Sequence, residues 1–324
     1  MKAVLVTGAG IVGCHTAQAL LERGERVVLL DVNPDPRAIA SVADIAGVAI
    51  ETGDVTQPAD LDRVVSAHDV ERVIHTAAMM TGAARRSPQA AVAVNILGTT
   101  NVLELARTGG VGRVVLASSN SIQYGVFDTY RGGDLSEDLA MRMVTQAPKS
   151  LYTTTKLAIE FIAQNYHDWF GTDAVLLRYA AVLGRWGGPN NSLPARLLDA
   201  IARAGMTGEV AVLDDPMLLW RGIEEFVDPR DCATANVAAL YAPNPTTRVY
   251  NVASGEQHTV EDVIAAARSV FPAFRVELKT EAKAGFAGFP FERPAISDLS
   301  AAARELGWQP AHPLTDTIRH FAHR

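Results

Sequence analysis

Residues 3–13 read AVLVTGAGIVG, an apolar run that leads directly into three glycines spaced as Gly-x-Gly-x-x-Gly. A helical pattern follows, so the glycines lie in a predicted turn between a β-strand and the amino end of a helix. In that setting Gly8 permits the tight turn, Gly10 lets the backbone approach a pyrophosphate, and Gly13 allows close packing of helix on strand. A sharp turn without a ligand would also favour glycines. The phosphate-binding residues predicted from this motif are Gly8, Gly10, Ile11, Val12 and Gly13.

A carboxylate ends the second predicted strand. Residues 26–31 read RVVLLD, and Asp31 lies about 20 residues beyond the glycines, as in dinucleotide-binding folds. Asp31 can accept hydrogen bonds from both hydroxyls of an adenosine ribose, and it would repel a 2′-phosphate. Arg37 follows closely enough in sequence to complicate the choice. The sequence therefore predicts NAD as the cofactor, in preference to NADP.

Two further strand ends predict contacts with this cofactor. Asp54 and Val55 follow the third predicted strand, where a carboxylate can accept a hydrogen bond from the adenine amino group. Asp54 is equally suited to capping the helix that follows. His75 closes the fourth strand, and we interpret it as a buried core residue. The small residues after it let a cofactor pass close to the sheet, and they are Thr76, Ala77 and Ala78.

Short apolar runs alternate with helical patterns as far as Tyr179. This alternation predicts right-handed βαβ crossovers, and hence an α/β fold of the Rossmann type with a doubly wound parallel sheet. The predicted strands cover residues 3–7, 26–31, 48–52, 73–76, 113–118 and 174–178. The predicted helices cover residues 12–23, 60–67, 88–108, 150–170, 193–204, 260–270 and 314–321.

Beyond Gly184 the pattern loosens into glycine-rich loops, which in such folds build the substrate pocket. We therefore predict a Rossmann domain that binds NAD and a smaller, carboxy-terminal substrate-binding lobe. The Rossmann domain comprises residues 1–184 and 225–255, and the lobe comprises residues 185–224 and 256–324.

The composition is that of an ordinary globular chain. Its 324 residues carry a net charge of -7, and no run of Lys or Arg is long enough to neutralise a nucleic-acid backbone. Cys14 and Cys232 cannot form a disulfide framework, which favours a reducing cytoplasm. No stretch reaches the length of a membrane span. We expect a cytoplasmic protein that acts on a small molecule, binds neither nucleic acid nor membranes, and has no metal site.

Tyr152 and Lys156 stand at positions i and i+4, on one face of a predicted helix. Oxidation of a secondary alcohol needs a base, and a tyrosine of ordinary pKa about 10 becomes one when a neighbouring cation stabilises its phenolate. The same pair is common on helices that have no such role. The preceding strand, however, ends in ASSNSIQYG, residues 117–125, whose hydroxyls can orient a substrate alcohol. Together these residues predict a site for hydride transfer.

The glycine motif, Asp31, the serine-rich strand end and the Tyr152/Lys156 pair resemble the extended short-chain dehydrogenase/reductase family, the NAD-dependent epimerases and dehydratases. The likeness also includes the segments 177–179, 226–233 and 297–308, so that it covers nearly the whole chain.

The resemblance implies a role for each of four side chains. Tyr152 is the general base, Lys156 lowers its pKa and binds the nicotinamide ribose, and Asn95 supports the cofactor site. Ser119 is the best match for the hydroxyl that orients the substrate. The resemblance further implies a homodimer through the helices that flank the sheet.

The strand end departs from the family at the position of that hydroxyl. Counting back from Tyr124 puts Asn120 where many members have the active serine or threonine. Ser119 is therefore our prediction, and Ser121 is the alternative. The Ser119-Asn120 pair is similar to that of uronate dehydrogenases.

The substrate prediction rests on further departures. The Thr-Asp-Glu triplet of the sugar 4,6-dehydratases is missing, which argues against dehydration. Ala181 and Glu224 stand where nucleotide-sugar members have an asparagine and a diphosphate-binding arginine, and a carboxylate would repel a diphosphate. We therefore predict oxidation or epimerisation of a sugar, polyol or sugar acid that is not a nucleotide sugar. Arg185 and Arg221, beside tryptophans, are the cations expected to face it.

Two alternatives stay open. A steroid-like or aromatic secondary alcohol would be favoured if apolar side chains line the pocket; the candidates are Met79, Met80, Met217, Leu218 and Leu219. A regulatory protein that binds NAD without catalysis would keep the Rossmann fold, although such proteins usually lack the Tyr/Lys pair.

Overall fold

The computed structural model describes residues 2–189 and 192–322. Its strands are β1 (Ala3–Thr7), β2 (Arg26–Asp31), β3 (Val48–Thr52), β4 (Val70–His75), β5 (Val114–Ser119), β6 (Ala174–Tyr179), β7 (Ala181–Val182), β8 (Val210–Leu213), β9 (Phe226–Val227), β10 (Val249–Val252) and β11 (Arg275–Leu278). Its α-helices are α1 (Ile11–Glu22), α2 (Pro36–Ala40), α3 (Pro58–His68), α4 (Thr81–Arg86), α5 (Pro88–Val92), α6 (Thr99–Arg107), α7 (Leu151–Phe170), α8 (Leu193–Thr207), α9 (Pro229–Tyr241), α10 (Val260–Val270) and α11 (Leu314–Ala322).

Seven strands form one parallel sheet in the order β10-β6-β5-β4-β1-β2-β3. The chain winds outward from β1 first towards β3 and then, after crossing to β4, towards β10. The carboxyl ends of β1 and β4 therefore meet where the winding reverses, which is where such sheets bind ligands. The prediction of a doubly wound parallel α/β sheet is confirmed.

β1 is buried on both faces, which explains its unbroken apolar sequence. Val4 and Val6 point into a core that includes side chains of α1 and α9. Ala3 and Leu5 point into a core on the opposite face, with side chains of α3, α6 and α7. Burying a Val or Leu side chain contributes about 1.5–3 kcal/mol, so the two helical layers together hold this strand at the centre of the sheet.

One predicted helix is divided in the structure. The stretch 88–108 forms α5, a π-helical segment at Ala93–Gly98, and α6. Asn95 lies in the π-helical segment and is buried. Wide turns of this kind occur frequently at functional sites, and no hydrophobic periodicity marks them in a sequence.

The chain after β7 contributes a separate apolar core. Side chains of α8, α10 and α11 surround Trp220, Phe226 and Phe286, whose rings meet edge to face. β8 pairs with β11 and β7 pairs with β9 in two small parallel sheets, whereas β10 belongs to the main sheet. The predicted boundaries of the two domains stay a prediction.

Apolar side chains are exposed on two of the elements expected at a dimer interface. They are Leu97 in the π-helical segment and Phe161, Trp169 and Phe170 on α7. The homodimer stays a prediction. Within the described ranges, no helix is long and apolar enough to cross a membrane.

His75 ends β4, and both of its ring nitrogens are hydrogen-bonded. Thr99 Oγ1 donates its one proton to the Asn95 carbonyl oxygen at 2.7 Å, so it accepts from His75 Nε2 at 3.0 Å. His75 Nδ1 therefore carries no proton and accepts from Thr7 Oγ1 at 2.6 Å. Burial, with a smaller contribution from the charge of Lys156, lowers the pKa of His75 to about 3. The interpretation of His75 as a buried core residue is confirmed.

Replacing His75 with glutamine tests this arrangement. At neutral pH we expect His75→Gln to lower the free energy of unfolding by about 1–3 kcal/mol, because buried hydrogen bonds are lost. Below about pH 6.5 His75 becomes protonated in the unfolded wild-type chain but stays neutral in the folded protein. The free energy of unfolding of the wild type therefore falls by about 1.4 kcal/mol per pH unit. The difference between the two proteins should therefore shrink as the pH falls, vanish about one to two pH units below 6.5, and then reverse in sign. Urea unfolding curves over the acidic range measure it, and a pH-independent difference would contradict a neutral His75.

Candidate active site

The three glycines after β1 have different surroundings. Gly8 has a φ of +92°, and a Cβ atom there would stand 2.6 Å from Ala77 N. A Cβ atom on Gly13 would stand 1.8 Å from the Gly8 carbonyl oxygen. Gly10 has nothing within 4 Å of its Cβ position, so this side of the loop is open. The loop is thus tightly packed at Gly8 and Gly13 and open at Gly10, as expected of a loop that binds a phosphate.

The amino end of α1 adjoins this open side. Gly10 is its N-cap and offers no side chain to the first turn, which contains Ile11 and Val12. Backbone N–H groups at such an end are suited to an anion, because they lack partners within the helix and carry the positive end of its dipole.

Asp31 ties the end of β2 to the glycine loop. Its Oδ2 accepts a hydrogen bond from Ala9 N at 2.7 Å, and its Oδ1 accepts one from Asn33 N at 2.9 Å. The carboxylate is half-buried, and each of its oxygens retains a lone pair for a ligand hydroxyl. Arg37 lies on α2 and is exposed.

The loop after β4 packs directly on the glycine loop. Thr76 Oγ1 lies 2.8 Å from the Thr7 carbonyl oxygen and 3.1 Å from that of Gly8, and its single proton is shared between these two acceptors. Ala77 and Ala78 follow as half-buried residues. Their small side chains leave the backbone of this loop close to the cradle.

Asp54 caps a turn and does not cap a helix. Its Oδ1 accepts from Thr56 N at 2.8 Å, whereas the N-cap of α3 is Gln57. Val55 is buried against Gly98, where a Cβ atom would stand 2.7 Å from Val55 Cγ2. The alternative of a helix cap at Asp54 is therefore wrong, and the adenine contact stays a prediction.

Asn95 joins the loop after β4 to α7. Its Oδ1 accepts from Met79 N at 2.7 Å, and its Nδ2 donates to Met79 O at 3.1 Å and to Thr155 Oγ1 at 2.9 Å. Thr155 in turn donates to the carbonyl oxygen of Tyr152. Asn95 thereby holds the first turn of α7 at the edge of the sheet.

Ser119, Tyr152 and Lys156 meet between α7 and the end of β5. Tyr152 and Ser119 are 8% and 9% exposed, and the Ser119 hydroxyl lies near enough to the Tyr152 phenol to lower its pKa. Lys156 Nζ donates to the Ala117 carbonyl oxygen at 2.6 Å and lies 5.7 Å from the centre of the Tyr152 ring. The structure thus brings together the three side chains that the sequence predicts as catalytic.

Burial dominates the ionisation of both titratable groups. It raises the pKa of Tyr152 to about 12, and the nearby Ser119 hydroxyl lowers that pKa by a smaller amount. It lowers the pKa of Lys156 to about 8, and the carboxylate of Glu160 acts in the opposite direction. Tyr152 is therefore a neutral phenol at neutral pH, and Lys156 is mostly protonated.

A buried ion pair behind Lys156 was not predicted from the sequence. Arg178 Nε and Nη2 donate to the carboxylate of Glu160 at 2.9 and 2.7 Å, and the Ser118 hydroxyl donates to the same group. Glu160 follows Lys156 by four residues on α7. The spacing of Lys156 and Glu160 along the helix was the one feature of the sequence that could have indicated this cluster. Arg178 on β6 comes close to Glu160 only in the folded protein.

The remaining residues of the strand end lie beside this group. Ser121 Oγ is 3.0 Å from Ser119 Oγ and 3.0 Å from Thr153 Oγ1. Asn120 is buried, and its Nδ2 has no hydrogen-bond partner in the described part of the chain. The orienting side chain therefore stays a prediction, with Ser119 as the first choice and Ser121 as the alternative.

Glu224 lies in a buried charge cluster. Arg293 Nη1 stands 3.5 Å from Glu224 Oε1, and its Nη2 donates to Glu225 Oε2 at 2.6 Å. Ser297 donates to Glu225 through both its backbone N and its hydroxyl. Tyr124 donates to Glu224 at 3.3 Å. Burial raises the pKa of both carboxyl groups, and a single guanidinium faces the two.

The two arginines expected to face the substrate contact other parts of the chain. Arg221 Nε donates to the Ala282 carbonyl oxygen at 2.9 Å. The Arg185 guanidinium lies 5.9 Å from the centre of the Phe321 ring.

Several apolar candidates for the pocket lie in the carboxy-terminal core. Trp220 is buried there and donates from Nε1 to a backbone carbonyl, and Leu218 and Leu219 are buried in the same cluster. Met79, in contrast, packs beside Tyr152. Among residues 2–189 and 192–322, no group of three His, Cys, Asp or Glu side chains could hold a metal ion.

A phosphate cradle at a switch point of a parallel sheet, with a Tyr/Lys pair beside it, defines a Rossmann-type enzyme of the extended short-chain dehydrogenase class. The model of the NAD dependent epimerase/dehydratase family matches residues 4–253, and the chain belongs to this family. NAD is its cofactor, and the open side of Gly10 and the carboxylate of Asp31 fit a dinucleotide.

Similar proteins include UDP-glucose 4-epimerases and L-threonine dehydrogenases. The UDP-glucose 4-epimerase of Corynebacterium glutamicum is 29% identical and is matched over 98% of this chain and 93% of its own length. The structure of Thermus thermophilus UDP-glucose 4-epimerase in complex with NAD is 27% identical, with a TM-score of 0.73 and coverage of 99% and 98%. The GalE-like L-threonine dehydrogenase of Cupriavidus necator, in its holo form, has a TM-score of 0.81 at 25% identity, with coverage of 99% of both chains. The relatives thus include both epimerases and net dehydrogenases.

Replacing Asp31 with alanine tests its predicted place at the ribose. Loss of a charged acceptor for ribose hydroxyls removes about 1.5–3 kcal/mol, so we expect about 10- to 100-fold weaker binding of NAD. Binding of NADP should weaken less, because the repulsion of its 2′-phosphate is also removed. Calorimetric titration with each dinucleotide measures the preference, with Asp44→Ala as the control at another acidic cap. An unchanged ratio of the two affinities would refute the assignment.

Proposed function

We propose that this enzyme is an NAD-dependent dehydrogenase that oxidises a secondary hydroxyl of a small, free substrate, namely a sugar, a polyol or a sugar acid. The observation that carries this choice is the buried cluster of Arg293 with Glu224 and Glu225. A diphosphate needs free positive charge, and this arginine already faces two carboxylates. The cluster is buried and leaves Arg293 no free positive charge for a diphosphate.

Other arginines of the carboxy-terminal half are also engaged within the protein. Arg196 pairs with Asp215, and Arg230 pairs with Asp228. Arg185 and Arg221 contact carbonyl groups or an aromatic ring, and neither is paired with a carboxylate among the described residues. One or two such charges suit a substrate carboxylate better than a nucleoside diphosphate.

The chain's own residues account for the movement of the substrate proton. Ser119 and Tyr152 present two hydroxyl groups that can share the proton of a substrate alcohol. Bound NAD⁺ supplies the hydride acceptor and a positive charge. Lys156 carries its proton below about pH 8, and its charge favours the phenolate form of Tyr152 when the base is needed. Burial excludes water, so the phenolate is reached only when these charges act together.

A second candidate is a nucleotide-sugar 4-epimerase. The curated relatives favour it, because the protein from Corynebacterium glutamicum is matched over nearly its full length. Both candidates use the same base and cofactor. They differ in whether NADH accumulates and in whether the substrate carries a nucleotide.

A substrate panel separates the two candidates. NADH formation is followed with galacturonate, glucuronate, aldoses, polyols and L-threonine, and interconversion is followed with UDP-glucose, UDP-galactose and UDP-glucuronate. The proposal predicts NADH with at least one of the sugars, polyols or sugar acids and no interconversion of the nucleotide sugars. NADH with L-threonine alone would contradict the proposed substrate class. Interconversion without NADH release would establish the second candidate.

Replacing Tyr152 with phenylalanine tests the proposed base. We expect turnover to fall by about 100-fold or more, because a positioned acid–base group contributes about 10²- to 10⁴-fold to rate. Affinity for NAD should stay the same, since the ring and its packing are kept. Tyr166→Phe, on the same helix with its hydroxyl on Glu104, is the matched control. Unchanged turnover in Tyr152→Phe would exclude the mechanism.

A further inference from the structure

A cavity of about 460 Å³ lies beside α7, where β6 and β10 form the edge of the main sheet. Cavities of this size commonly hold small molecules. The described residues that line it do not include Asp31, Ser119, Tyr152, Lys156 or the glycine loop, so the cavity is separate from the candidate active site. Apolar side chains form part of its wall, among them Ile122, Val126, Leu157 and Leu176.

Both arginines that line this cavity are already paired with carboxylates. Arg178 forms the buried ion pair with Glu160, and Arg248 Nη1 lies 3.4 Å from Asp173 Oδ1. His167 also lines the cavity and donates from Nδ1 to a backbone carbonyl oxygen. Three further carboxyl groups line it without an ion pair to any described residue, and they are Glu137, Asp138 and Asp168. Even with His167 protonated, the charge left in the cavity is negative.

A buried amide in the cavity wall has an unused acceptor. Gln123 is 3% exposed, and its Nε2 donates to the Ser136 carbonyl oxygen at 2.8 Å. Its Oε1 has no hydrogen-bond partner in the described part of the chain, although a buried acceptor without a partner is unfavourable. Glu137, next to Ser136, accepts from Asn251 N at 2.8 Å, and its carboxylate has lone pairs for further donors. The cavity therefore offers acceptors and negative charge.

We propose that this cavity binds a small organic cation, namely an ammonium or guanidinium group carried on an apolar body. Such groups have several N–H donors and no acceptor, which complements the Gln123 Oε1 atom and the Glu137 carboxylate. Asp138 and Asp168 are exposed, so they would attract the cation at the mouth of the cavity. The apolar body would pack on the leucine side chains of the wall. This inference does not depend on which reaction the enzyme catalyses.

The probe is 2-phenylethylamine, titrated calorimetrically into the NAD-loaded protein so that the cofactor cleft is occupied. 2-Phenylethanol and 3-phenylpropanoate are the matched compounds, because they carry the same ring without a positive charge. We expect the amine to bind about tenfold or more tightly than the alcohol, since hydrogen bonds to charged groups are the stronger ones. The carboxylate should not bind. Added salt should weaken the binding of the amine.

Two substitutions locate the amine in this cavity. Glu137→Gln removes the charge and keeps an oxygen to accept from Asn251 N, and we expect it to weaken binding about tenfold. Asp168→Asn changes an exposed side chain that the fold does not need, and it should weaken binding about two- to threefold. Asp62→Asn is the control, because Asp62 is exposed on α3 and does not line the cavity. It should bind the amine like the wild type.

The other outcomes would overturn the proposal. They are no binding of the amine, equal affinity for the amine and the alcohol, and binding to the NAD-free protein alone, which would place the amine in the cofactor cleft. Unchanged affinity in both Glu137→Gln and Asp168→Asn would show that the amine binds elsewhere. None of these results bears on the proposed dehydrogenase activity, which the substrate panel tests separately.

Discussion

The close approach of the glycine loop to the end of β4 is the constraint on which the site depends. The backbone at Gly8 leaves no room for a Cβ atom beside Ala77, and Thr76 bonds the same loop. These contacts hold together the ends of β1 and β4, where the winding of the sheet reverses. Asp31 is anchored on this loop through Ala9 N, so the cofactor edge behaves as one packed unit.

The chemical half of the site is attached to that unit through Asn95. Its side chain bonds the backbone of Met79 after β4 and the hydroxyl of Thr155 on α7. Tyr152 and Lys156 therefore have a position fixed relative to the cofactor edge. Because Tyr152 is buried, its phenolate form is unfavourable without nearby positive charge. Proton transfer therefore depends on the positive charges that lie close to it. In this class of enzyme, epimerase and dehydrogenase differ mainly in the fate of the proton and of the reduced cofactor.

Local patterns in the sequence were sufficient for much of this structure. The strands could be predicted because β1 and its neighbours are buried on both faces, and the glycines and Asp31 because their spacing within one βαβ unit is short. Tyr152 and Lys156 could be paired because four residues span one helical turn. The division of the predicted helix 88–108 could not be predicted, because the π-helical segment has the same apolar pattern as an α-helix.

Local sequence patterns did not predict contacts between residues that are far apart in the chain. Glu224 was predicted to repel a diphosphate, whereas in the structure it faces Arg293, which lies 69 residues away in the sequence. The link from Ser121 to Thr153 likewise spans 32 residues and exists only because β5 and α7 pack together. Such contacts depend on how the elements meet, and spacing along the chain carries no signal for them.

The central claim is that the enzyme oxidises its substrate and discharges both the hydride and the proton. The most direct test is to denature the purified protein, quantify the nicotinamide cofactor that it releases, and measure how fast added NAD⁺ exchanges with the native enzyme. A net dehydrogenase should retain little cofactor and exchange it rapidly. A full equivalent of NAD that is retained through purification and does not exchange would contradict this claim, because such an enzyme regenerates its cofactor within each cycle.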